Sequence, residues 1–167
     1  MTRPTLLLFR EDAYLSETPA TVTGLTADGG IVLDRTVFYA TSGGQPGDTG
    51  VLVRAHGIVV PIATTVTGET KDDVIHVPAP GSELPETGET VSLRIDWDRR
   101  HKLMRMHTAC HLLTVACPYP IMGAAVAVDD SRVDFDMPDA GVTREAVTEA
   151  LQRLVEADHP VYTRWIT

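Results

Sequence analysis

An α+β fold opening on a small N-terminal β-barrel is what this sequence predicts, and three observations predict it. Between residues 5 and 95, short apolar runs alternate with Gly-, Pro- and Asp-rich turns and show almost no helical periodicity, the pattern of a small barrel or sandwich. Beyond residue 95 the apolar period lengthens to three or four, returns to two, and lengthens again. The 167 residues are 43% hydrophobic, enough to bury a core. The expected organisation is a barrel domain with a glycine-rich loop over residues 1–95, followed by a layered α+β domain over residues 96–167 that ends C-terminally incomplete.

In chain order, Thr5-Leu6-Leu7-Leu8-Phe9 is a short strand-length run. Residues 20–25 and Ile31-Val32-Leu33 form a hairpin across Asp28-Gly29-Gly30, with glycine supplying the positive φ of the turn. Thr41 to Gly50 holds four glycines and a proline, which predicts a loop in particular turn geometries. It lacks the Lys of a phosphate-binding loop, and by itself it reads first as a structural turn. Gln45 and Asp48 are its candidates for function. Residues 51–54 and 58–60 suggest a second hairpin with a two-residue turn, which makes His56 a turn residue. His76 falls in alternation with apolar neighbours and reads as a surface or internally satisfied strand histidine. Val91, Leu93 and Ile95 alternate with polar residues in the last strand of the first half.

A helix follows: Asp96 can cap it, Leu103, Met106, Cys110 and Leu113 recur at three or four, and Pro118 marks its end. His107 and His111 lie four apart on it, so both imidazoles share one face and can reach one ion. Zinc wants three or four protein ligands, and two imidazoles are only part of a site. The metalloprotease pattern H-E-x-x-H fails here, because Thr108 stands where the glutamate base would be. Residues 121–128 read as a buried strand and residues 132–137 as a half-exposed one, paired across Asp129-Asp130. Thr143 caps a second helix carrying Val147, Leu151, Leu154 and Val155, and residues 161–166 begin a strand.

A net charge of −9 argues against a protein that grips nucleic acid with its whole surface, but allows a local basic patch. Arg99, Arg100, Lys102 and Arg105 are the candidates for one, or are simply solvated. Cys110 and Cys117 are too few for a disulfide framework and read as reduced, buried thiols. No run approaches a membrane span and the N-terminus is no signal peptide, so a cytoplasmic location is the default expectation.

Two motifs carry a resemblance. His107-Thr108-Ala109-Cys110-His111-Leu112-Leu113, preceded by Asp96-Trp97, Arg100 and Met104-Arg105, resembles the zinc-binding helix of freestanding alanyl-tRNA editing proteins (AlaX type) and of the editing domain of alanyl-tRNA synthetase. Phe38 to Gly50 is similar to the segment F-Y-P-x-G-G-G-Q-P-x-D-x-G in that family's N-terminal barrel, with Ala40 in place of the proline and Ser42 in place of the first glycine. The resemblance implies zinc as cofactor, His107 and His111 as its ligands, and misacylated alanine tRNA as partner. The implied reaction is hydrolysis of the ester that joins serine or glycine to that tRNA, with Thr108 and Gln45 as the polar groups nearest the amino acid. The family completes its zinc site with C-x-x-x-H after a strand like residues 161–166, and these 167 residues contain no such motif. The expectation is therefore a fragment, a natural truncation, or a relative that binds tRNA or protein without hydrolysis. The oligomeric state stays open.

Overall fold

The computed structural model describes residues 4–70, 72–138 and 141–162. The chain divides into two compact units, residues 1–104 and 105–167.

The first unit is a closed six-stranded barrel. Its elements are β1 (Leu6–Leu7), β2 (Glu17–Leu25), β3 (Ile31–Leu33), β4 (Arg35–Thr36), β5 (Gly50–Val53), β6 (Val59–Thr67), β7 (Val74–Pro78) and β8 (Thr90–Ile95). The order around the barrel is β2-β3-β7-β6-β5-β8, every neighbouring pair antiparallel, and closure by the β8–β2 ladder leaves no free edge among these six. Strand β8 shows why the sequence folds this way: Val91, Leu93 and Ile95 point inward and are buried, while Thr90, Ser92 and Arg94 point out. With Val22, Ile31, Leu33, Leu52, Val60 and the loop residues Val37 and Phe38, they form one core. Fully burying a side chain of this size contributes about 1.5–3 kcal/mol.

Two sequence expectations in this unit are corrected, and a third is decided between its alternatives. The run at residues 5–9 is a strand only at Leu6–Leu7; it pairs in parallel with β4 outside the barrel, then tightens into a 3₁₀ turn at Leu8–Arg10. The β5–β6 connection is a three-residue 3₁₀ turn, Ala55–Gly57, with His56 at φ 61° and Gly57 at φ 78°, closed by Arg54 N–H donating to the Ile58 carbonyl at 2.8 Å. His76, expected as a surface or internally satisfied strand histidine, is the second of these: it is fully buried. Its Nδ1 lies 3.0 Å from the Ile31 carbonyl and its Nε2 2.8 Å from Thr36 Oγ1. A carbonyl only accepts, so Nδ1 carries the proton and Nε2 accepts from the hydroxyl. Burial pushes the His76 pKa down to about 4, against a smaller upward pull from the Ile31 carbonyl.

Helix α1 (Trp97–Ala116) follows directly. Asp96 caps it, accepting from Arg99 N–H at 3.1 Å through its side chain and from Arg100 N–H at 3.0 Å through its carbonyl. Only Arg100 and Leu103 are buried along its length.

The second unit holds the later turns of α1, an antiparallel hairpin of β9 (Ile121–Ala125) and β10 (Arg132–Phe135), and α2 (Arg144–Glu156). Thr143 caps α2, its Oγ1 accepting from Ala146 N–H at 3.2 Å. The buried strand expected over residues 121–128 is overturned: Ile121 and Met122 are exposed, and only Val126, beyond β9, is buried. Length and apolarity identified a strand but not what covers it. Helix α2 is amphipathic and likewise buries none of its residues. The strand expected over residues 161–166 begins at Val161 and Tyr162, which are in no strand, and otherwise lies outside the described residues. No helix among the described residues is long and apolar enough to cross a membrane.

Candidate active site

The glycine-rich loop belongs to the barrel unit. Ser42 and Gln45 exchange backbone hydrogen bonds at 3.1 and 3.0 Å around Gly43 and Gly44, whose φ angles of 57° and 79° are those a two-residue type I′ turn requires. Gly47 and Gly50 have a different reason. A Cβ at Gly47 would stand 1.9 Å from the Thr65 carbonyl oxygen, and one at Gly50 2.3 Å from that of Arg94. These glycines are where the loop backbone presses on β6 and β8. Gln45 is buried.

Asp48 is the loop's anchor. It is 1% exposed, accepts from Tyr39 N–H at 2.7 Å, and pairs through both carboxylate oxygens with the guanidinium of Arg100, itself 3% exposed. Arg100 also donates to the Val37 carbonyl at 2.8 Å. Its neighbour Arg99 donates to the Gly47 carbonyl at 2.9 Å. The expected basic patch is thereby halved: Arg100 is a structural cation, Arg99 is tied to the loop, and Lys102 and Arg105 remain exposed. The sequence named Asp48 and Arg100 separately, and nothing in it pairs residues 52 positions apart.

In the second unit, α1 presents His107 and His111 on one face. Their rings lie nearly parallel, 14° apart in plane, with centroids 5.0 Å apart. His107 is half-buried and His111 exposed. Burial, and secondarily the His111 ring, push the His107 pKa below its ordinary value, which favours the neutral form that binds metals. Thr108 is exposed on the next position. Cys110 is half-buried, contrary to the expectation of a buried thiol, and that burial raises its pKa and disfavours the thiolate. Cys117 is buried, with its Sγ 3.9 Å from the sulfur of Met137. The two imidazoles fit zinc as a pair, being neutral nitrogen donors on one helical face. Among the described residues no group of three or more His, Cys, Asp or Glu comes together around a common point, and two imidazoles are fewer than the three or four protein ligands zinc normally takes.

Residues 8–99 match the family described as tRNA synthetases class II (A). The chain is 41% identical over 138 residues to an alanyl-tRNA editing protein AlaX-M of Methanosarcina mazei, covering 78% of this chain and 55% of that protein. With the AlaX-M protein of Pyrococcus horikoshii it shares 33% identity over 173 residues, covering 99% of this chain and 76% of the relative. The chain belongs to the alanyl-tRNA editing family. An alanine–tRNA ligase of Pyrobaculum calidifontis is 34% identical over 170 residues, 94% of this chain but 18% of that enzyme. This member of the editing family spans 55% of the length of the Methanosarcina mazei relative and 67% of one from Methanosarcina acetivorans.

Proposed function

We propose that this chain acts in zinc-dependent hydrolysis of misacylated alanine tRNA, removing serine or glycine from the wrong aminoacyl ester. The observation that supports it most is the pair of nearly parallel imidazoles of His107 and His111 on one face of α1, that of His107 held toward its neutral form by burial, with the exposed Thr108 next to His107 in sequence, in a chain whose relatives are named as alanyl-tRNA editing proteins. Hydrolysis of the ester joins a water oxygen to the carbonyl carbon, breaks the bond from that carbon to the ribose oxygen, and returns a proton to the ribose hydroxyl. His107 and His111 would hold the zinc, which when bound supplies polarisation of water or of the carbonyl. Thr108 offers a hydroxyl that both donates and accepts, suited to a serine hydroxyl or an α-amino group. Gln45, the other polar residue that the resemblance implies, is buried within the loop of the barrel unit.

The test is deacylation of serine-charged alanine tRNA by the zinc-supplied protein, beside His107→Ala. Hydrolysis that depends on His107 supports the proposal; hydrolysis indifferent to it removes the zinc role. Tight tRNA binding with no hydrolysis would favour a non-catalytic relative.

A further inference from the structure

A partly exposed aromatic cluster on the barrel unit is left over once the core and the loop are accounted for. Tyr14, Trp97 and His101 stand together. Trp97 and His101, one turn apart on α1, have centroids 5.6 Å apart and planes only 15° apart. The Tyr14 ring lies 5.6 Å from Trp97 and 6.5 Å from His101. Trp97 packs against the barrel core from beneath, so the cluster is supported. The Tyr14 backbone N–H donates to Asp12 Oδ1 at 2.8 Å, and the residue is 65% exposed. An amphipathic ring this exposed, tilted about half a right angle to two nearly parallel rings beside it, does little for the core.

Resting on the RNA reading above, we infer that Tyr14, Trp97 and His101 form a stacking surface for an unpaired base of the RNA. A nucleobase has a flat π-face with polar edges, and the near-parallel indole and imidazole offer the planes that such a face extends. The surroundings are polar and of mixed sign, with Asp12, Asp98 and Lys102 adjacent in sequence, which suits a base better than an apolar protein surface. Stacking also suits a protein of net charge −9, because it does not draw on phosphate attraction.

The probes are an RNA hairpin with a short unpaired 3′ tail and the same hairpin without it. In a Trp165→Phe background the fluorescence reports Trp97. The tailed hairpin should quench Trp97 and bind more tightly than the blunt one. Tyr14→Ala and His101→Ala should each weaken tailed binding roughly five- to a hundredfold. Tyr14→Phe should restore it, and the salt dependence should not change in any of them. Circular dichroism of each variant controls for folding, and Tyr14 is exposed enough to replace. If the tailed hairpin binds the wild type and Tyr14→Ala equally, the stacking surface is overturned while the RNA reading stands. If neither hairpin binds, the RNA reading falls and takes the stacking surface with it.

Discussion

Arg100 clasps Asp48 with both oxygens of its carboxylate in contact, across 52 positions of sequence and inside the protein. The pair ties the first turns of α1 to the glycine-rich loop, and Arg100 adds a bond to the Val37 carbonyl. Removing one member leaves a buried charge without its partner, which costs about 3–5 kcal/mol. Arg100→Met and Asp48→Ala should therefore each destabilise the barrel unit by about that much in urea unfolding, and the double variant by less than the sum. A loss below about 1 kcal/mol for either would show that the pair is dispensable.

The loop glycines should separate into two kinds. Gly47→Ala drives a methyl into the Thr65 carbonyl and should cost more than about 3 kcal/mol. Gly43→Ala meets nothing within 4 Å and has only a left-handed φ to bear, so about 1 kcal/mol is expected. Equal effects at the two positions, measured by denaturation, would contradict the packing account.

His76 sets a pH dependence. Its folded pKa, about 4, lies below the ordinary 6.5, so the unfolded chain takes up a proton where the folded barrel does not. Stability from this group is complete above pH 6.5 and is lost as pH falls toward 4, by at most about 3 kcal/mol. His76→Gln should remove this part of the acid sensitivity. Unfolding midpoints between pH 7 and 4 that fall as steeply in the variant would assign the effect to other groups.

Zinc affinity should depend on the imidazoles and not on the neighbouring thiol. His107→Ala and His111→Ala should each lower affinity at least about tenfold in chelator competition. Cys110→Ala should leave it unchanged, since a half-buried thiol with a raised pKa is a poor ligand. Tight stoichiometric zinc that vanishes with Cys110 would make the cysteine a ligand.

If Thr108 contacts the amino acid, Thr108→Val, which keeps the shape and deletes the hydroxyl, should slow removal of serine about tenfold or more and spare zinc binding. Equal rates for Thr108→Val and wild type would dismiss the role; the assay is single-turnover deacylation.

The barrel was legible because burial on one side of a strand writes itself as a period of two: β8 reads in sequence as it packs. The histidine pair was legible for the matching reason, since four positions on a helix return to the same face. Arg100 was not legible, because charge on a helix looks alike whether it meets water or a carboxylate brought in by a distant loop. Strand β9 was misjudged for a related reason. Its apolar run gives the strand, whereas burial depends on what lies against it, and Met122 is 72% exposed. Tyr14 gave no local signal, as its partners arrive only with the start of α1.

The crowding at Gly47 and Gly50 bears on how such chains diverge. Selection for a sound barrel alone is enough to hold those two glycines, together with Asp48, in place. On the proposed function, a descendant that no longer hydrolysed its substrate would go on displaying much of the loop's signature for as long as it still needed to fold. The imidazoles at 107 and 111 belong to neither the barrel core nor the loop and would drift first. In a newly found sequence of this kind, an intact loop beside a decayed histidine pair marks a folded protein that has changed occupation.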